Sequence, residues 1–101
     1  MPDWGFLTKH ARALVCIAHD PGVRLRDLAV ELDVTERSAF GIVEDLINGG
    51  YVAKEREGRR NRYHIQVDAP LGEAIGRQET IGELLKLLIG SKRGARQIQR
   101  K

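Results

Sequence analysis

Hydrophobic residues recur along the chain at helical spacing in four places, and between the third and the fourth the period shortens to two. Thr8 stands where a helix N-cap belongs. Ala11, Leu14, Val15 and Ala18 after it fall at i, i+3, i+4 and i+7, one apolar face of a helix running to about His19. Phe6, just before the cap, is placed to fold onto that face. Asp20-Pro21-Gly22 is a turn signal that stops the helix. Val23-Arg24-Leu25 reads as a brief extended segment. A second helix is predicted over 26–32, with Leu25, Leu28, Ala29 and Leu32 at helical spacing and Asp33-Val34 breaking it. Thr35 is a good N-cap for a third helix, which runs to about Asn48. Glu36 in its first turn suits the positive end of the helix dipole. Ala39, Ile42, Val43 and Leu46 form its inward side, and Gly49-Gly50 supplies a residue able to turn left-handed at its end.

The change of period comes next. Segments 51–57 and 61–67 favour strand, and Tyr63, Ile65 and Val67 alternate with Arg62, His64 and Gln66. Gly58-Arg59-Arg60 between them is the expected hairpin tip, with Glu55 and Glu57 expected to pair across the strands with neighbouring arginines. Asp68-Ala69-Pro70-Leu71-Gly72 reads as a linker. Thr80 can cap a last helix, in which Ile81, Leu84, Leu85 and Leu88 make a further stripe before Gly90 ends it. The segment beyond has no apolar periodicity. The fold class expected is α+β and mostly helical, a three-helix core with a β-hairpin and a short C-terminal helix. The expected organisation is 1–69 as the main domain, 70–90 as linker and C-terminal helix, and 91–101 as a basic tail.

Length and composition agree with this picture. The chain has 101 residues, 42% of them hydrophobic and 31% charged, which suits one soluble globular domain. No apolar run approaches the roughly 20 residues needed to span a bilayer. The N-terminal stretch carries Asp3 and no basic region ahead of a long apolar one, so no signal peptide is expected. The single cysteine, Cys16, rules out an internal disulfide framework and fits a reducing, cytoplasmic compartment. The net charge of +3 hides an uneven distribution. Lys92, Arg93, Arg96, Arg100 and Lys101 crowd the end of the chain, where no acid stands. Lys54, Arg56, Arg59, Arg60 and Arg62 crowd the hairpin against Glu55 and Glu57. Positive charge in two short places on a mildly acidic body points either to a polyanion, most simply nucleic acid, or to a solvated surface.

Two short helices joined by a tight turn and followed at once by a basic hairpin form the organisation of a winged helix-turn-helix. In that arrangement the helix opening at Thr35 enters the major groove by its N-terminal end, where every base pair displays a distinct set of donors and acceptors. Early in that helix, Thr35, Glu36, Arg37, Ser38, Phe40 and Gly41 lie away from the apolar side. Arg37 is suited to a guanine edge or a phosphate, and Thr35 and Ser38 to a phosphate or a base. Gly41 leaves room for close approach. Glu36 either accepts from a cytosine amine or serves the helix dipole. Phe40 either presses on a thymine methyl or turns into the core. In the hairpin, Lys54, Arg56, Arg59, Arg60 and Arg62 are suited to phosphates. Asn61 either joins them or stabilises the turn.

The stretch 27–65 resembles the winged helix-turn-helix transcription regulators of the MarR and ArsR type. The resemblance rests on Asp27-Leu28-Ala29, Val34-Thr35, Ile42-Val43 with Leu46, Gly50-Tyr51-Val52, and Gly58-Arg59-Arg60-Asn61-Arg62-Tyr63. With the first helix and the segment from Pro70 to Leu88, it is similar in particular to small bacterial members with a proline-containing linker and a short leucine-rich helix. The resemblance implies sequence-specific binding of double-stranded DNA as a homodimer, on a pseudo-palindrome with half-sites about 34 Å apart. Ile81, Leu84, Leu85 and Leu88 are the expected dimer interface, with Trp4 and Phe6 available to the same seam. The alternative for this helix is packing onto the first helix of its own chain.

The chain departs from the larger members, whose long flanking helices build an effector pocket, so no sizeable internal pocket is expected and any effector is unknown. His10, Cys16, His19 and His64 are scattered without ligand spacing, so neither a metal centre nor a cofactor is expected. An enzyme is not expected either, because no nucleophile–base arrangement or phosphate-cradling glycine loop is present. The rival readings are a winged helix used only for protein–protein contact and an RNA-binding module. The cationic hairpin argues against the first. The lack of interleaved exposed aromatics argues against the second.

Overall fold

Each helix begins and ends where local chemistry allows it. In the computed structural model, which describes residues 4–72 and 79–89, helix α1 spans Lys9–His19 and the Thr8 hydroxyl accepts from the Ala11 N–H at 3.1 Å. At its far end the Asp20 N–H reaches the Cys16 carbonyl, and the Asp20 carboxylate accepts from Gly22 N–H at 3.2 Å to fix the turn. Helix α2, Leu25–Leu32, closes on Asp33, which takes a left-handed φ of 57°. Aspartate is among the few residues that tolerate this. Helix α3, Glu36–Asn48, opens on Thr35, whose hydroxyl accepts from Ser38 N–H at 3.0 Å. It ends in a Schellman motif: Gly50 sits at φ 84°, its N–H bonds Ile47, and Tyr51 N–H bonds the Leu46 carbonyl at 2.9 Å.

That joint delivers the chain into an antiparallel hairpin of β1, Val52–Glu57, and β2, Arg60–Ile65. Pairing runs from Val52 opposite Ile65 to Glu57 opposite Arg60. The turn is therefore two residues, Gly58-Arg59, and Arg60 belongs to the ladder instead of the tip. Gly58 has φ 65° and Arg59 does not turn left-handed, the pattern of a type II′ turn whose twist suits a hairpin. Only the base of the hairpin is buried, through Val52 and Tyr63. Tyr63 N–H donates to the Pro21 carbonyl at 2.9 Å, which ties β2 to the turn between α1 and α2.

After β2 the chain doubles back. Pro70 bridges Thr80, and Gly82 N–H donates to the Val67 carbonyl at 2.9 Å. Helix α4, Ile81–Ile89, starts in a capping box, with Thr80 N–H donating to the Glu83 carboxylate at 2.9 Å and Glu83 N–H to the Thr80 hydroxyl at 3.2 Å. One core unites all of this: Leu14 and Ile17 of α1, Leu28 and Leu32 of α2, Ile42, Val43 and Leu46 of α3, Val52 and Tyr63 of the hairpin, and Ile81 and Leu85 of α4. The architecture is α+β, four helices with a two-stranded hairpin after the third. Among the described residues no helix is long and apolar enough to cross a membrane.

Four expectations change. Helix α1 buries Ala13, Leu14 and Ile17, the last only 1% exposed, while Ala11, Val15 and Ala18 are half-buried. Residues 13–18 are all apolar, so more than one stripe fits, and contact with α2, α3, α4 and β2 decides between them. Phe6 does not fold onto α1. It is 93% exposed and meets Trp4 edge-on, ring centroids 5.9 Å apart. Val67 lies beyond the end of β2 and is exposed, because its backbone turns to receive Gly82. Glu55 pairs with His64 at 2.6 Å instead of with an arginine, and Glu57 forms no ion pair among the described residues. The helix stop expected at Gly90 and the tail 91–101 lie outside the described residues.

Candidate nucleic-acid interface

Helix α3 carries its apolar side chains inward at Ala39, Ile42, Val43 and Leu46, so its opposite side faces out by geometry alone. Thr35, Glu36, Arg37, Ser38, Phe40 and Gly41 are all exposed. Phe40 is 50% exposed, which removes the core placement as an account of it. A Cβ added at Gly41 would meet nothing within 4 Å, so the backbone there is open to an approaching surface. The cap at Thr35 satisfies one of the N–H groups that a helix leaves free in its first turn. The others keep the end electropositive.

The hairpin residues divide by what they touch. Arg59 at the turn and Lys54 and Arg62 on the strands are exposed and in no ion pair among the described residues. Because His64 occupies Glu55, Arg62 is left without the carboxylate that stands opposite it in the ladder. Arg56 bends its Nε to the Gly58 carbonyl at 3.1 Å and steadies the turn. Arg60 points back to the body, donating to the Gly22 carbonyl. Asn61 is half-buried opposite Arg56.

The fold also brings in a cation that sequence spacing did not single out. Arg24 precedes α2 without capping it by a side-chain bond, which leaves first-turn N–H groups of that helix unsatisfied by its cap. Arg24 lines a recess of about 410 Å³ together with Gly22, Arg59, Arg60 and Asn61, and no carboxylate lines it. No local signal marks Arg24, because the hairpin residues it meets in the recess, Arg59, Arg60 and Asn61, are more than thirty positions away along the chain. The hairpin base and α3 are neighbours as well. Burial pushes the Tyr63 hydroxyl pKa up, and the nearby Glu44 carboxylate of α3 adds to the shift.

The remaining candidates fall elsewhere. Ile81 and Leu85 of the expected dimer seam are buried in the chain's own core, against α1. Leu84 is half-buried and Leu88 is 39% exposed, while Leu87 is 82% exposed. The outward apolar side of α4 is therefore Leu84, Leu87 and Leu88. Phe6 and Leu7 share a shallow groove with Ile81 and Leu84. His10 holds Asp45 at 2.8 Å, joining α1 to α3. Burial, helped by Glu31, pushes the Cys16 thiol pKa up, which disfavours the reactive thiolate. Compared with known proteins, the chain matches no family model and no curated protein.

Proposed function

We propose that the chain is a double-stranded-DNA-binding transcription regulator of the winged helix-turn-helix kind, similar to the MarR and ArsR types and acting in the bacterial cytoplasm. One observation carries this reading: α3 is capped and exposed along the outward side of its first two turns, and the hairpin that follows bears Lys54, Arg59 and Arg62, cations in no ion pair among the described residues. A capped helix end of this width fits the major groove, and free guanidinium groups beside it release counterions when they meet phosphates. In this reading Arg37 addresses a base edge, Thr35 and Ser38 hold phosphate or base, and the wing grips the neighbouring backbone. The recess at Arg24 and Arg59 offers a further place for a phosphate.

Two copies act together, meeting through Leu84, Leu87 and Leu88 of α4 with Trp4 and Phe6 at the edge. An apolar side chain as exposed as Leu87 gains by such cover. The test is a fluorescence-anisotropy titration of the full chain against duplex DNA between about 50 and 200 mM salt, a range over which a few phosphate contacts cost about one to two orders of magnitude in affinity. Affinity that falls steeply with salt in the wild type, and binding in a folded Arg59→Ala chain that is weaker and less steep in salt, support the reading. A chain that ignores duplex at low salt refutes it and favours a winged helix that contacts only protein.

A further inference from the structure

We propose that Phe40 reads the C5-methyl group of a pyrimidine in the major groove, so that each half-site contains a 5-methylpyrimidine beside the base pair addressed by Arg37. This rests on the placement of α3 in the groove and deepens it, by naming the base chemistry one side chain selects.

Every other exposed residue in the first two turns of α3 is polar or glycine, while the Phe40 ring keeps half its surface in water. Isolated exposed apolar residues are ordinary, so exposure alone decides nothing. The surroundings decide it. Trp4 and Phe6 are also exposed, but their rings meet each other edge-to-face, whereas Phe40 is in no aromatic pair among the described residues. Gly41, the next residue, presents bare backbone with open space where a side chain would stand. A large apolar ring beside a gap can meet a flat polar edge closely only where that edge carries an apolar group. In the major groove the one apolar group on the bases is the methyl at C5 of thymine, and 5-methylcytosine places the same methyl at the same position.

Spacing then fixes the neighbour. Arg37 and Phe40 are three residues apart, so they share a face of the helix and are separated by about 4.5 Å along its axis. That is little more than the roughly 3.4 Å between successive bases on a strand. A guanine addressed by Arg37 and a methyl met by Phe40 therefore lie on adjacent base pairs or one apart.

The experiment selects duplexes from randomised libraries with the full chain, one library unmethylated and one carrying 5-methylcytosine. In the selected duplex each thymine is replaced by uracil, and each 5-methylcytosine by cytosine, one position at a time. Removing one methyl is expected to weaken wild-type binding about fourfold at a single position per half-site, the factor for a buried methylene-sized group. Loss on uracil identifies thymine as the source, and loss on cytosine identifies 5-methylcytosine. Phe40→Ala is expected to show the same fourfold loss on the intact duplex and no further loss when the methyl is removed. Phe40→Leu is expected to keep part of the discrimination. Wild-type affinity indifferent to every methyl, or discrimination that survives in Phe40→Ala, overturns the inference while leaving duplex binding intact. A chain that selects no duplex overturns both this inference and the function it rests on.

Discussion

Arg60 donates to the Gly22 carbonyl, whereas Arg59, one position earlier, reaches into solvent from the turn. Charge at these two residues therefore does different things. Arg59→Ala and Arg62→Ala are each expected to lower the slope of log affinity against log salt by about 0.9, one phosphate contact apiece. Arg60→Ala is expected to change that slope little and instead to destabilise the fold by about 1 kcal/mol, the usual net worth of a hydrogen bond. Salt titrations paired with thermal melts of the three variants separate the two roles. Sequence spacing could not make this distinction. Five cations in one short stretch look alike until the ladder register shows that Arg60 is strand and the α1–α2 turn stands beside it. The same holds for Glu55, which reaches diagonally to His64 instead of straight across to Arg62.

At the scale of elements, α3 was the most legible part of the chain. Apart from Phe40, its apolar residues form a single stripe, and the structure buries that stripe as expected at Ala39, Ile42, Val43 and Leu46. In α1 residues 13–18 are all apolar, and in α4 apolar residues flank Lys86 on both sides, so spacing alone fits several faces. Tertiary contacts chose Ala13, Leu14 and Ile17 in one and Ile81 and Leu85 in the other. The caps were legible because their chemistry is local. Thr35→Ala is expected to cost about 1 kcal/mol in denaturant unfolding by removing the acceptor for Ser38 N–H. Gly50→Ala is expected to cost about 1–2 kcal/mol, since a left-handed φ of 84° strains any residue with a Cβ. The α4 cap has a pH signature. Backbone and side-chain hydrogen bonds from Thr80 hold the Glu83 carboxyl below its ordinary pKa. A carboxylate depressed in the folded state stabilises above its unfolded pKa, and that contribution disappears as acid protonates it. Helicity followed by circular dichroism is expected to fall for the wild type as the pH drops below the ordinary carboxylate range, and to lose that component in Glu83→Gln.

For the whole molecule, the question is which surfaces the single core leaves uncovered. It consumes Ile81 and Leu85, as the packing of α4 onto its own chain requires, and leaves Leu87 and Leu88 outward, where the proposed second copy would meet them. Leu87→Glu together with Leu88→Glu is expected to give monomers in sedimentation velocity with little change in melting temperature, because neither side chain supports the core. Wild-type chain sedimenting as a monomer at tens of micromolar refutes the seam. Whole-molecule relations such as the recess at Arg24 were the least legible in the sequence, since they join segments that only the folded core brings together.

The hairpin is secured at both of its roots, to α3 by the Gly49-Gly50-Tyr51 joint and to the α1–α2 turn by the bond from Tyr63 to Pro21. A reader built this way behaves like a gauge with fixed jaws. In the proposed reading, the interval between the letters met by α3 and the sugar–phosphate rungs met by Arg59 is set by the scaffold and offers no slack, whereas the interval between two copies depends only on how they meet. In a regulator of the proposed kind, inserting a single nucleotide pair inside one recognition element is therefore more damaging than inserting it at the midpoint of the palindrome.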